Sequence, residues 1–194
     1  MKLILMGGCL GSGKTTLILD MVALLKNQYE NIVIVENEIG EIGVDGEYLE
    51  LNGLSVQNIY SGCICCSLAT DLVFTLNKIA SELNPNLVIV EASGVAVLSN
   101  VIKGIRAVNF QLDIKTVAII DAVRFKAFIT VLRPLIVDQI NCADALLINK
   151  ADKVKEEEIK NIADSALEFQ PDIPIFPVSR GCGNESFIEW IKHD

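Results

Sequence analysis

The chain has 194 residues, 51% of them hydrophobic and 21% charged, and a formal net charge of −9. That composition excludes a disordered chain, and the acidic balance argues against sequence-independent binding to DNA or RNA, which depends on Lys and Arg contacts to phosphates. Mean hydropathy is positive at +0.44, yet no stretch approaches the roughly 18–20 uninterrupted apolar residues of a spanning helix; one soluble domain over residues 1–194 is expected.

Short apolar runs recur along the chain: Leu3–Met6, Ile32–Val35, Leu87–Val90, Val117–Ile120, Ala145–Ile148 and Ile173–Val178. They are continuous rather than alternating, the pattern of strands buried on both faces of a parallel sheet. A short strand is also expected within Val56–Tyr60. Helical patterns separate the runs. Leu17, Ile18, Met21, Val22, Leu24 and Leu25 form one apolar face, Leu68–Leu83 reads as a second helix, and Lys155–Phe169 as a third with Glu156, Glu157 and Glu158 in its first turn. The alternation predicts an α/β fold: a doubly wound, mostly parallel sheet flanked by helices, with ligands at the carboxyl ends of the strands. The Met1–Cys9 segment has too short an apolar run for a secretory leader and reads as a buried first strand.

Gly8-Cys9-Leu10-Gly11-Ser12-Gly13-Lys14-Thr15 matches G-x-x-x-x-G-K-[ST] between a strand and an amphipathic helix, which identifies a P-loop NTPase. The backbone from Gly8 through Gly11, Ser12 and Gly13 can curl so that its N–H groups meet a phosphate. Lys14 reaches the β- and γ-phosphates, Thr15 can ligate Mg²⁺, and Thr16 extends the site on the first helical turn. Glu91 directly follows the run Leu87–Val90 and is the expected acid on the Mg²⁺ side, while the N–H of Gly94 is placed to approach the γ-phosphate. At the end of another run, Asn149-Lys150-Ala151-Asp152 reads as N-K-x-D. Asp152 can accept two hydrogen bonds from the N1–H and N2 amino edge of guanine. Adenine has no such donor pair and would leave the carboxylate unpaired. Lys150 can lay its stem over the purine, Asn149 can brace the loop, and Ser179 follows a strand in a position to close over the base.

Three thiols fall within four residues at Cys63, Cys65 and Cys66. Adjacent cysteines make strained disulfides, and three sulfurs with a fourth ligand suit tetrahedral Zn²⁺ or Co²⁺; a redox pair and structural thiols are the other readings. Cys9, Cys142 and Cys182 look like packing residues. The loop after Ile32–Val35 carries Glu36, Glu38 and Glu41 among Gly40, Gly43 and Gly46, an acidic and pliable segment suited to a nucleotide switch.

Together GGCLGSGKTT, ENEIGE, SGCICCSL, EASG and NKAD resemble the nucleotide-binding domain of the CobW/HypB/UreG P-loop GTPases, and most closely its CobW-like branch of metallochaperones. The resemblance implies a slow GTPase that uses GTP/GDP and Mg²⁺ to govern loading and delivery of a transition metal. It makes Cys63, Cys65 and Cys66 the metal thiolates, with Glu36 and Glu41 as acids linking switch and metal. Lys14, with Glu36 or Glu38 orienting the attacking water, forms the catalytic set. It further implies a client metalloprotein or a separate targeting protein, a nucleotide-dependent homodimer, a cytoplasmic location, and neither nucleic acid nor membrane as partner. Against the fuller pattern, the sequence to Asp194 is expected to hold the nucleotide-binding domain without the family's C-terminal CobW domain, and His193 is its single histidine. The competing readings are a metal sensor or buffer stabilised by nucleotide, a corrinoid-protein activating GTPase, and a P-loop ATPase or kinase. Arg106, Arg124, Arg133 and Arg180 carry no assignment from sequence.

Overall fold

The computed structural model describes residues 1–36, 55–58, 68–108, 111–180 and 184–192. In chain order the elements are β1 (Lys2–Gly8), α1 (Lys14–Leu25), β2 (Ile32–Glu36), β3 (Ser55–Asn58), α2 (Leu68–Glu82), β4 (Leu87–Glu91), α3 (Leu98–Ile105), β5 (Asp113–Asp121), α4 (Phe125–Val131), α5 (Arg133–Asn141), β6 (Ala145–Asn149), α6 (Glu156–Leu167), β7 (Ile175–Pro177) and α7 (Asn184–Lys192). The strands form a seven-stranded sheet in the order β3-β2-β4-β1-β5-β6-β7, and every pairing is parallel. All the strands expected from sequence are present. The third is displaced to Ser55–Asn58, and the fifth runs four residues earlier than its apolar core because its Asp113 end is solvated.

The continuous apolar runs have a direct explanation in the packing. Ile4, Met6, Ile34, Ile89, Val117, Ile119 and Leu147 point to one face, where they meet α1 and α7 through Leu17, Ile18, Met21, Phe187 and Ile191. Leu3, Leu5, Val33, Val35, Val88 and Val90 point to the other, against Leu72, Leu76 and Ile79 of α2 and Leu98 and Ile105 of α3. Farther along that second face, Ala118, Ile120, Leu146 and Ile148 pack with Ile136 and Ile140 of α5 and Ile162 and Ala166 of α6. Both alternating sets are thus buried, so the strands show no polar side. Leu24 departs from the expected apolar face of α1: it lies at the margin of the stripe and is 48% exposed. α6 begins as its sequence suggests, with the Lys155 N–H donating to the Glu158 carboxylate at 3.1 Å and Glu156–Glu158 in the first turn.

The chain builds outward from β1 to β2 and β3, returns at β4 beside β1, then crosses to the other side for β5, β6 and β7. The connections after β1 and after β4 run in opposite directions, and the crevice this opens lies at the carboxyl ends of β1, β4, β5 and β6. At the amino ends of the central strands β1 and β5, α7 is pinned by two lysines: Lys2 Nζ donates to Ile191 O at 2.7 Å and Lys115 Nζ to Trp190 O at 3.1 Å. Cations on the last carbonyls of a helix satisfy groups that have no partner within it. Lys115 also lies 4.6 Å from the Trp190 ring, which stacks with Phe187.

Replacing Leu5, which is fully buried in β1, by alanine should lower unfolding stability by about 2–5 kcal/mol. The same change at Leu24 should move it by less than about 0.5 kcal/mol, both read as denaturant midpoints of the purified chain.

Candidate nucleotide site

The turn after β1 winds around its own amide groups. Gly13 is left-handed at φ +92, and a Cβ there would collide with the side-chain amide nitrogen of Asn149; both conformation and clearance require glycine. Lys14 opens α1, is 6% exposed, and folds back to donate from Nζ to Gly8 O at 3.1 Å. The Ser12 hydroxyl is buried without a hydrogen-bond partner among the described residues, an orphan that a phosphate oxygen would satisfy. Thr15 Oγ1 lies 3.1 and 3.0 Å from the two oxygens of Glu91. A hydroxyl and a carboxylate in contact are a donor set suited to a hard dication such as Mg²⁺, so the expected pair stands together. Met6 pairs with Glu91 in register and Glu91 with Glu36, so the two acids sit abreast on neighbouring strand ends. Gly94 fits against the same loop: a Cβ there would fall 2.6 Å from Leu10 N.

The turn after β6 is bound directly to the phosphate loop. Asn149 Nδ2 donates to Ser12 O at 2.8 Å, and Asn149 Oδ1 accepts from Lys150 N at 2.8 Å. Lys150 Nζ donates to Gly11 O at 2.9 Å and to Asp121 Oδ2 at 2.7 Å. Lys150 is left-handed, φ +61, although it is not glycine, a conformation held by the contacts around it. Beyond these bonds lies a cleft of about 190 Å³ lined by Gly13, Thr16, Leu17, Asn149, Lys150, Asp152, Lys153 and Arg180. Of these, Asn149, Lys150 and Asp152 were expected at the base, and Gly13 and Thr16 among the phosphate-loop residues. Ser179 is next to the cleft in sequence, and Arg180 is the residue of that turn that lines it.

Besides Leu17, Lys153 and Arg180, which line the cleft without having been assigned to it, two residues behind the site were missed. Asp121 ends β5, paired in register with Asn149, and its side chain is almost wholly enclosed. Burial by itself would raise its carboxyl, but hydrogen bonds from Lys150 and then Arg124 outweigh burial and hold it below the usual carboxylate value. Arg124, unassigned from sequence, donates from Nε to Asp121 Oδ2 at 2.6 Å and from a terminal nitrogen to Leu10 O at 2.8 Å. A signal existed for Asp121, since an acid after the run Val117–Ile120 has the same setting as Glu91. Cys9 packs in the core as expected, and burial pushes its thiol up despite the nearby Lys14 and Arg124. Cys63, Cys65, Cys66, Glu38 and Glu41, with Cys182 and His193, lie outside the described residues. Among those described, no group of three or more His, Cys, Asp or Glu could hold a metal ion, and no helix is long and apolar enough to cross a membrane.

Residues 2–177 match the family described as CobW/HypB/UreG, nucleotide-binding domain. Among curated proteins the chain is 30% identical over 156 residues to the zinc chaperone YeiR of Escherichia coli K12, covering 79% of this chain and 47% of that protein. It spans about half the length of the curated relatives it matches. Among solved structures it superposes on the hydrogenase maturation factor HypB of Archaeoglobus fulgidus with TM-score 0.73 and 19% identity, covering 99% and 89% of the two chains. The Zn(II)-bound YjiA GTPase of E. coli follows at TM-score 0.65 and 22% identity, covering 92% and 57%. These structural likenesses establish the fold, a P-loop α/β architecture.

The depressed Asp121 carboxyl sets a pH dependence. Its pairing stabilises the fold above the ordinary carboxylate range and is lost as pH falls through the lowered folded value. Denaturant midpoints of the parent and of Asp121→Asn should therefore differ most near neutral pH and converge below about pH 4.

Proposed function

The chain belongs to the CobW/HypB/UreG family, and from that premise we propose that it is a GTP-binding, slowly GTP-hydrolysing metallochaperone domain that couples nucleotide state to binding and delivery of a transition metal. The reading rests first on one observation: Asn58, Glu36 and Glu91 stand side by side in register at the carboxyl ends of β3, β2 and β4. The chain leaving Asn58 reaches Cys63 five residues later and Leu68 of α2 two residues after Cys66. The chain leaving Glu36 carries Glu38 and Glu41. Thiolates and switch acids thus belong to connections of neighbouring strands, and the next strand bears the Mg²⁺-side acid. Curated relatives are zinc chaperones, which favours Zn²⁺ as the cargo over Co²⁺.

In this reading Asp152 accepts from the guanine edge, while Lys150 and Leu17 flank the purine and Arg180 closes the rim. Backbone amides of the phosphate loop and Lys14 compensate the negative charge that builds on the γ-phosphoryl group as it transfers. Lys14 already lies among carbonyls, so phosphate oxygens replace the acceptors it now uses and little reorganisation is needed. Thr15 and Glu91 would hold Mg²⁺, which would supply positive charge against the phosphates. Glu36, beside Glu91, is positioned to orient water; Glu38 is the alternative. Arg124 is committed to Asp121 and to Leu10 O, which removes it as a finger within the chain and is in keeping with slow basal turnover. Faster turnover then requires a client or a second copy.

The purified chain should bind GTP at least tenfold more tightly than ATP. Asp152→Asn should reverse the preference toward xanthosine triphosphate, because the new amide can donate to the oxygen that replaces the guanine amino group. Equal binding of GTP and ATP by the parent overturns the base assignment. Titration of Zn²⁺ with GTP, GDP or no nucleotide should give different metal affinities, and by reciprocity Zn²⁺ should shift nucleotide affinity by the same factor. Cys65→Ser should abolish that coupling; retention of full Zn²⁺ affinity by Cys65→Ser removes the thiolates from the proposal.

A further inference from the structure

Leu10 O, Gly11 O and Ser12 O, three consecutive carbonyls of the phosphate loop, accept hydrogen bonds from Arg124, Lys150 and Asn149 at 2.8, 2.9 and 2.8 Å. A trans peptide sets each carbonyl opposite the N–H of the next residue. Holding the three carbonyls outward turns the N–H groups of Gly11, Ser12 and Gly13 to the other side, where Ser12 N reaches Cys9 O at 3.0 Å across the loop. That inner side is where the proposed phosphate would bind. The shaping force on the loop is therefore applied from outside it.

Two of the three outer donors are themselves held by a single atom. Asp121 Oδ2 accepts from Arg124 Nε at 2.6 Å and from Lys150 Nζ at 2.7 Å, while Oδ1 accepts from Val123 N at 3.0 Å. The carboxylate is only 1% exposed, whereas its two cations are 39% and 31% exposed. The anchor is buried and the arms reach out from it. Arg124 also lies over the Phe128 ring, 4.7 Å from its centre, which restricts the guanidinium to the plane that meets Leu10 O. Neither cation is needed to neutralise Asp121 alone; the second gives the carboxylate a grip on two neighbouring carbonyls, one through the base-site turn and one through the start of α4.

We propose that Asp121 is the positioning residue of this site, a buried carboxylate that sets Lys150 and Arg124 so that they aim the phosphate loop inward and lock it to the base-binding turn. This deepens the guanine-nucleotide reading and rests on it for the identity of the base. Asp121 contacts neither base nor phosphate itself. Because it acts on the part of the loop that serves the nucleotide whatever its phosphate count, its loss weakens GTP and GDP by the same factor. A residue acting on the γ-phosphate would instead separate the two.

The test is a double-mutant cycle read as dissociation constants for fluorescent GTP and GDP analogues, on chains first shown to be folded at the assay temperature. Asp121→Asn should weaken both nucleotides about tenfold and Arg124→Met about threefold, with the double variant no weaker than Asp121→Asn to within about twofold. Affinity of the folded Asp121→Asn chain within twofold of the parent overturns the proposal, as does multiplication of the two factors in the double variant or a loss confined to GTP. If Asp121→Asn does not fold, Arg124→Met decides: equal weakening of GTP and GDP supports the proposal, and affinity for both within twofold of the parent, or a loss confined to GTP, overturns it. A parent that binds ATP as tightly as GTP removes the guanine assignment while leaving the cycle intact, since it is then scored on the nucleotide the parent binds.

Discussion

Between Ser12 and Asn149, 137 residues apart, a buried amide-to-carbonyl hydrogen bond joins the turn after β1 to the turn after β6. Both ends are enclosed, so the bond competes with no water, and breaking it would strand two polar groups. Much of the site is arranged around it. Gly13 has to lack a side chain because the Asn149 amide occupies the space a methyl would take. Lys150 follows Asn149 in a left-handed conformation, its N–H satisfied by the same side chain. The parallel sheet makes the contact feasible: β5 lies between the two strands and ends in register with Asn149, which brings the turns to one level.

Charge is distributed against the chain's overall sign. The molecule carries −9, yet Lys14, Arg124, Lys150, Lys153 and Arg180 gather around the phosphate loop and its cleft. A local positive field in a concave site concentrates an anionic ligand even on an acidic protein, because distant charges are screened over about 8 Å at physiological salt. The acids at the site have separate tasks. Asp121 is engaged by cations, Glu91 meets the Thr15 hydroxyl, and Asp152 stays exposed at the cleft.

What could be read from sequence follows from how local each signal is. The central strands were legible because burial on both faces writes an uninterrupted apolar run. The glycines and Lys14 were legible because the loop's geometry is set within eight residues. Helices α3, α4, α5 and α7 were not read: they are short, α3 contains Gly104, and α4 passes into α5 at Leu132 beside Pro134, so no long amphipathic repeat marks them. Arg124 was illegible for a different reason. Its role depends on meeting Leu10, 114 residues away, and nothing in its own neighbourhood encodes that meeting. Asp121 lies between these cases, with a local signal that needed the strand order to become meaningful.

The contact between Gly94 and Leu10 differs in kind from the others. The two Leu10 atoms nearest to a Cβ at Gly94 are backbone, at 2.6 and 2.8 Å, which leaves no space for one methyl, and backbone atoms cannot rotate aside as side chains do. β4 and β1 are paired over five consecutive residues, so neither turn can retreat by sliding its strand. The junction therefore behaves as a mechanical stop. Val95, 67% exposed, is the first side chain beyond that stop, so the close-packed junction passes directly to the surface at that point.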